Sequence, residues 1–184
     1  MNRFSVKQLT LTGLMAAVLC ILGPWTISIP VSPVPISLGM LGIYFVTSVL
    51  GMKPGTVSVL IYILMGLVGV PVFTGFTAGP GKLLGPTGGY IIGYIFMALI
   101  CGFFVDKYSG STPLYFLGML LGTAVCYFFG TLWLARQMQY TFFQALMAGV
   151  IPYIPADLAK LVIARVVGVQ LRRRLVNAGL LMAE

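Results

Sequence analysis

The sequence predicts an all-α integral membrane protein, with six transmembrane helices in a single bundle and both termini in the cytoplasm. Of its 184 residues, 59% are hydrophobic and only 8% are charged, and the mean hydropathy is +1.05. Soluble domains carry about 25% charged residues, and a soluble chain of this length could not bury so much apolar surface. The apolar residues also fall into runs close to the length that spans a bilayer.

The predicted spans follow one another along the chain, separated by short polar or Gly/Pro-rich segments. In order they are Leu9–Ile21, Ile36–Met52, Thr56–Val70, Thr87–Val105, Thr112–Leu134 and Ala156–Leu171. The first could extend to Ile27, and Lys53-Pro54-Gly55 predicts a turn after the second. We interpret Thr141–Ile151 as a helix at the surface or the bundle edge, because it is too short to cross. A re-entrant second and third segment would leave five spans, and a crossing Thr141–Ile151 would make seven.

The basic residues predict the orientation of the bundle. With six spans, only Lys82 and Arg136 fall on one side, and the rest of the basic loop residues share the other: Arg3, Lys7, Lys53, Lys107 and Arg172 to Arg174. Basic residues mark cytoplasmic loops. The Gly/Pro-rich loops and the start of the last helix then face outside. We treat residues 1–184 as one transmembrane substrate-binding domain in the cell membrane.

Composition argues against several classes of function. The chain has no histidine, which removes histidine metal ligands and general bases, and its three cysteines lack paired spacing. Asp106 and Asp157, the only acids before Glu184, fall on opposite predicted sides. The sequence contains no GxxxxGK[ST] segment, which is the pattern of a nucleotide-binding P-loop. We therefore expect no catalytic residue, metal or cofactor, and we assign the net charge of +8 to membrane topology rather than to nucleic acid.

A Gly/Pro-rich segment, Val70–Ile95, is the first candidate binding element. It is long and nearly uncharged, which indicates a shaped lining rather than a solvated linker. Its aromatic side chains could cover an apolar ligand body or belong to the interfacial belt. Its one charge could attract a ligand carboxylate or be solvated. The candidate residues are Phe73, Gly79, Lys82, Thr87, Tyr90 and Tyr94.

An acid and a base at the start of the last helix are the second candidate. Asp157 is the only acidic residue inside an apolar run, and Lys160 follows at i+3 on the same helix face. Pro155 suits a helix start. The pair could hold a ligand or be a structural ion pair, and the two roles are compatible.

Small residues in the first helix form a candidate docking face. Gly13 and Ala17 are four residues apart, as are Ala16 and Cys20. Such spacing allows a second helix to approach closely. The contact could lie within the bundle or with another subunit.

Several motifs in order along the chain resemble one known family. They are Ile29-Pro30, Pro33-Val34-Pro35-Ile36-Ser37, Gly69-Val70-Pro71-Val72-Phe73, Leu84-Gly85-Pro86-Thr87-Gly88-Gly89-Tyr90-Ile91-Ile92-Gly93 and Ile154-Pro155-Ala156-Asp157-Leu158-Ala159-Lys160. With them the chain resembles the biotin-transporter S-component family, the substrate-binding subunits of energy-coupling-factor transporters. The resemblance departs at Ser37, where the family often has Gln, and in the first helix, which only approximates the family's alanine pattern.

The resemblance implies a six-helix fold with a vitamin site near the outer face and the first outer loop as a lid. It implies that Asp157 and Lys160 help to hold biotin. It also implies a transmembrane coupling subunit and two ATP-hydrolysing subunits as partners, with ATP used only by those partners. The alternatives are an S-component for another vitamin, a stand-alone carrier or channel, and a structural subunit without a ligand.

Overall fold

The computed structural model describes residues 5–27, 33–108 and 111–181, and helices make up most of this part of the chain. Arg3, Ile29 and Pro30 lie outside the described residues. The helices are α1 (Val6–Leu22), α2 (Gly39–Leu50), α3 (Met52–Leu67), α4 (Pro80–Leu84), α5 (Gly88–Lys107), α6 (Thr112–Met138), α7 (Phe142–Gly149) and α8 (Ile154–Asn177). Before α2, a hairpin pairs β1 (Thr26–Ile27) with β2 (Ile36–Ser37) in antiparallel register.

Three helical stretches in the described residues are long and apolar enough to cross a membrane: Gly88–Lys107, Thr112–Met138 and Phe142–Asn177. Three shorter apolar helices, α1, α2 and α3, have 17, 12 and 16 residues. Large apolar side chains such as Leu14, Leu120 and Val162 are about half exposed. A helical surface of this kind suits a bilayer, where each backbone N–H and C=O must be satisfied within the helix.

The boundary between α2 and α3 corrects one sequence expectation. The predicted turn at Lys53-Pro54-Gly55 is wrong, because these residues form the first turn of α3. Proline is tolerated there, since the N–H groups of a first helical turn have no intrahelical partner. The break lies instead at Gly51, where φ is +80°. A Cβ at this position would come within 1.9 Å of Asp106 Oδ1, so glycine fits both the backbone and the contact.

A helix predicted within Thr141–Ile151 is confirmed as α7. Thr141 caps it, since its hydroxyl accepts from the Gln144 N–H while the Gln144 side chain accepts from the Thr141 N–H. This reciprocal cap starts a helix of only eight residues. The helix packs against α6, and a short 3₁₀ turn, Ile151–Tyr153, leads from it into α8.

The bundle is arranged around α2 and α5. Helix α5 packs against α6 and α3, and α2 packs against α8, α5, α1 and α3. Buried hydroxyls link α2 to α6: Tyr44 is hydrogen-bonded to Thr123, and Ser48 to Tyr115. Hydrogen bonds between helices of this kind stabilise packing within a bilayer.

A charged cluster ties four helix ends together at one end of the bundle. Asp106 Oδ2 accepts from the Met52 N–H at 2.7 Å, and Asp106 Oδ1 lies 3.3 Å from Arg172 Nη2. Arg172 Nη1 also donates to the Val49 carbonyl oxygen at 3.4 Å. The cluster therefore joins the ends of α2, α3, α5 and α8. Asp157 lies in the first turn of α8, roughly 22 Å away along that helix at about 1.5 Å per residue.

Candidate functional site

A cavity lies at the end of the bundle where α5 and α8 begin. Its empty space is about 560 Å³, counting the part open to solvent. The lining is mostly aromatic and aliphatic, with few polar groups. It consists of Val34, Pro35, Ser37, Met40, Tyr62, Phe73, Thr74, Thr87, Tyr90, Ile91, Tyr94, Tyr127, Gly149, Tyr153, Asp157 and Lys160.

The acid and base predicted on one helix face form a buried ion pair in this cavity. Lys160 Nζ lies 2.7 Å from Asp157 Oδ1, and the two residues are 7% and 3% exposed. Pro155 lies in the first turn of α8, as expected, and the i+3 spacing brings the two side chains together. A buried pair needs further hydrogen bonds to offset its desolvation. Tyr127 donates its hydroxyl to Asp157 Oδ2, and Lys160 also donates to the Ser37 carbonyl oxygen at 2.7 Å.

The segment of residues 33–37, which leads into and includes β2, is fastened to the start of α8. Besides the Lys160 bond to Ser37, the Tyr153 hydroxyl donates to the Val34 carbonyl oxygen. Ser37 Oγ in turn accepts from the Gly39 N–H at 2.8 Å, which fixes the turn into α2. Asp157 and Lys160 and the segment before α2 thus form one connected network of hydrogen bonds at the cavity.

Tyr90 occupies a slot between two glycines of neighbouring helices. A Cβ at Gly130 of α6 would lie 2.2 Å from its ring, and one at Gly149 of α7 would lie 2.3 Å from its hydroxyl oxygen. That hydroxyl donates to the Gly149 carbonyl oxygen at 2.9 Å. The two glycines therefore fix Tyr90 in the cavity wall.

The other predicted aromatic residues lie in the same wall. Phe73 is fully buried and meets the Tyr62 ring edge to face, with centroids 5.7 Å apart. Tyr94 is also buried, one helical turn from Tyr90 on α5. The structure therefore brings together Phe73, Tyr90 and Tyr94 with the ion pair, although they lie far apart in the sequence.

Two threonines of the lining carry unused hydrogen-bonding capacity. Thr87 Oγ1 and Thr74 Oγ1 are buried, and neither has a hydrogen-bond partner among the described residues. A buried hydroxyl without a partner costs free energy. Both hydroxyls are therefore suited to receive a polar group of a ligand.

Gly79 and Lys82 are not among the residues that line the cavity. Gly79, with φ of +87°, precedes the short helix α4, and its N–H donates to the Gly66 carbonyl oxygen at 2.7 Å. Lys82 lies within α4, where partial burial lowers the pKa of its amino group. Both residues belong to the Gly/Pro-rich segment between α3 and α5, and neither of them lines the cavity.

The four small residues of α1 do not share one environment. Gly13 and Ala17 are exposed, and a Cβ at Gly13 would meet no atom within 4 Å. Cys20 is half-buried. Ala16, in contrast, is 3% exposed and packs inside the bundle, so the structure does not place it on an outward face with Gly13 and Ala17.

Sequence reasoning missed three residues that complete the polar network: Ser37, Tyr127 and Tyr153. Tyr127 and Tyr153 carried one available signal, since a tyrosine in an apolar run needs a partner for its hydroxyl. Ser37 takes part through its backbone carbonyl, which no side-chain pattern reveals.

Fold and site together define a class of protein: a helical membrane protein with a cavity at one end of its bundle that is lined by a buried ion pair. The model of the BioY family matches residues 1–177. The biotin transporter BioY of Thermotoga maritima is 35% identical over 91% of this chain and 97% of that protein. The probable biotin transporter BioY of Pyrococcus horikoshii is 35% identical over 90% and 96%.

A solved structure agrees with these sequence matches. The S-component for biotin from an ECF-type ABC transporter superimposes with a TM-score of 0.84, at 34% identity over 94% of both chains. The chain belongs to the BioY family, and it is a multi-pass membrane protein. Within residues 5–27, 33–108 and 111–181, no group of three or more His, Cys, Asp or Glu side chains is placed to hold a metal ion.

Proposed function

We propose that this protein captures biotin in the Asp157–Lys160 cavity and serves as the S-component of an ATP-driven energy-coupling-factor transporter. The observation that carries the proposal is the buried ion pair in an aromatic cavity. The relatives named as biotin transporters and the solved S-component for biotin support the choice of ligand.

The chemistry of the lining suits biotin. The ureido ring offers two N–H donors and one strong acceptor, and the tail ends in a carboxylate. Asp157 can accept from a ureido N–H, and Lys160 can donate to the ureido oxygen or to the carboxylate. The Phe73, Tyr90 and Tyr94 rings can cover the apolar part of the ligand. The Thr87 hydroxyl offers a further hydrogen bond, whereas Gly79 and Lys82 lie outside the lining.

Capture and energy use are divided between subunits in this proposal. The chain contains no GxxxxGK[ST] segment, so two partner subunits would hydrolyse ATP. A transmembrane coupling subunit would transmit the energy of that hydrolysis to this chain. The exposed Gly13 and Ala17 of α1, with Cys20 at their edge, are the proposed docking face for the coupling subunit. The chain itself is not an enzyme in this scheme, and residues 1–184 act as one substrate-binding domain.

Six crossings, with both termini in the cytoplasm, complete the proposal. The Asp157 cavity would then face outside, and the Asp106–Arg172 cluster would lie at the cytoplasmic surface, in agreement with the positive-inside rule. In a cysteine-free background, Lys53→Cys should react with an impermeant thiol reagent only from the cytoplasm, and Gly81→Cys only from outside. Both positions are exposed. Labelling of Gly81→Cys from the cytoplasm alone would invert the topology.

The choice of ligand is tested by direct binding to the purified protein in detergent. We expect tight binding of biotin without ATP, and no displacement of bound biotin by excess thiamine or riboflavin. Preferential binding of either of those vitamins would assign the chain to another substrate. Biotin uptake into liposomes that contain only this chain would instead favour a stand-alone carrier.

A further inference from the structure

The Asp157 carboxylate is held at both of its oxygens by two different helices. Lys160, on α8 with Asp157, lies 2.7 Å from Oδ1. The Tyr127 hydroxyl, on α6 and 30 residues earlier, donates to Oδ2. Each carboxylate oxygen can accept two hydrogen bonds, so both remain able to receive a donor from a ligand. The two contacts therefore fix the orientation of the Asp157 carboxylate and leave it capacity to accept hydrogen bonds from a ligand.

Tyr127 and Asp157 also separate two cavities. The second is a cleft between α6 and α8, with an almost wholly apolar lining: Tyr44, Leu120, Thr123, Ala124, Tyr127, Ile154, Asp157, Leu158 and Leu161. Leu120 and Leu158 are about half exposed, so the cleft opens at the side of the bundle, which in the proposed topology would face the acyl chains. Among the described residues, only Tyr127 and Asp157 line both cavities.

We infer that Tyr127 is a positioning residue for substrate: its hydroxyl orients the Asp157 carboxylate toward the ligand, and its ring separates the ligand cavity from the lipid-facing cleft. This inference rests on the proposed function. A carboxylate that is oriented before the ligand arrives avoids the ordering cost that would otherwise reduce affinity. The cleft presents mainly apolar groups beside the carboxylate, so loss of the Tyr127 hydroxyl would leave its hydrogen bond to Asp157 uncompensated.

A double-mutant cycle tests whether Tyr127 acts through Asp157. We would measure the Kd of biotin for the wild type, Tyr127→Phe, Asp157→Ala and the double variant, all purified in detergent. Tyr127→Phe keeps the ring and removes the hydroxyl, and it should weaken binding about 5- to 30-fold. In the Asp157→Ala background, the same change should weaken binding by less than about twofold, because the carboxylate that it orients is gone.

The matched control is Tyr44→Phe. The Tyr44 hydroxyl lies in the same cleft but is bonded to Thr123, so its loss should leave the Kd within about twofold. The infrared carboxylate stretch that disappears in Asp157→Ala should shift in Tyr127→Phe and stay in place in Tyr44→Phe. A merely structural role for Tyr127 would not produce that pattern.

Loss of the positioning role of Tyr127 can be told apart from absence of biotin binding. A wild-type protein that does not bind biotin overturns the proposed function and the positioning role with it. If Asp157→Ala weakens binding but the two losses add, Tyr127 acts independently of the carboxylate and only the positioning role is overturned. An unchanged Kd in Tyr127→Phe overturns it as well.

Discussion

Asp157→Asn should lower the affinity for biotin about 10- to 100-fold. The substitution keeps the shape of the side chain but removes its charge, and loss of a charge-assisted hydrogen bond costs about 1.5–3 kcal/mol. The loss should be accompanied by lower stability, because Lys160 stays buried without its counter-charge. Titration of purified protein with biotin gives the affinity, and a thermal melt without ligand gives the stability.

Asp106→Asn is the matched control for this experiment. It removes the carboxylate at the other end of the bundle, where Asp106 bonds to Arg172 and to the Met52 N–H. Some stability should be lost there too, whereas biotin affinity should stay within about threefold, since additivity holds for distant sites. Unchanged biotin binding in a folded Asp157→Asn protein would leave the ion pair with a structural role only.

Gly13→Leu and Ala17→Leu should abolish biotin uptake and co-purification with the coupling subunit, while biotin binding by the isolated protein persists. Both positions are exposed, and a Cβ at Gly13 meets no atom of the bundle, so a larger side chain does not disturb the fold. A docked helix, however, would be pushed away, because small residues allow backbones to approach closely. Uptake in cells and pull-down of the coupling subunit measure the effect.

Two further variants control for bulk on a lipid-facing helix. Val167→Leu enlarges a half-exposed side chain of α8 and should leave uptake unchanged. Ala16→Leu enlarges a buried residue of α1 and should impair the fold itself, with loss of binding and uptake together. If Gly13→Leu and Ala17→Leu behave like Ala16→Leu, the proposed docking face belongs to the internal bundle.

Local patterns in the sequence predicted the parts of the site that depend on local geometry. The pairing of Asp157 with Lys160 follows from i+3 spacing in a helix, and the start of α8 follows from Pro155. The membrane class followed from composition. Phe73, Tyr90 and Tyr94 were selected as aromatic residues beside a Gly/Pro-rich segment, and all three line the cavity.

Long-range contacts account for what the sequence did not reveal. Tyr127 reaches Asp157 across 30 residues, and Lys160 reaches the Ser37 carbonyl across 123. No periodicity encodes such pairings. Lys82 was selected by its charge alone, and charge in a loop does not determine whether the side chain turns toward a cavity. The break at Gly51 was missed because its backbone conformation is linked to a contact with distant Asp106.

The Asp157–Lys160 cavity is the proposed biotin site, and an experimental structure of the biotin complex tests this assignment most directly. The predicted result places the fused rings of biotin against the wall formed by Phe73, Tyr90 and Tyr94. A polar atom of the ligand should then lie within hydrogen-bond distance, about 2.6–3.2 Å, of Asp157 or Lys160. Biotin seated instead in the cleft between α6 and α8, or on the surface away from Asp157, would contradict the claim.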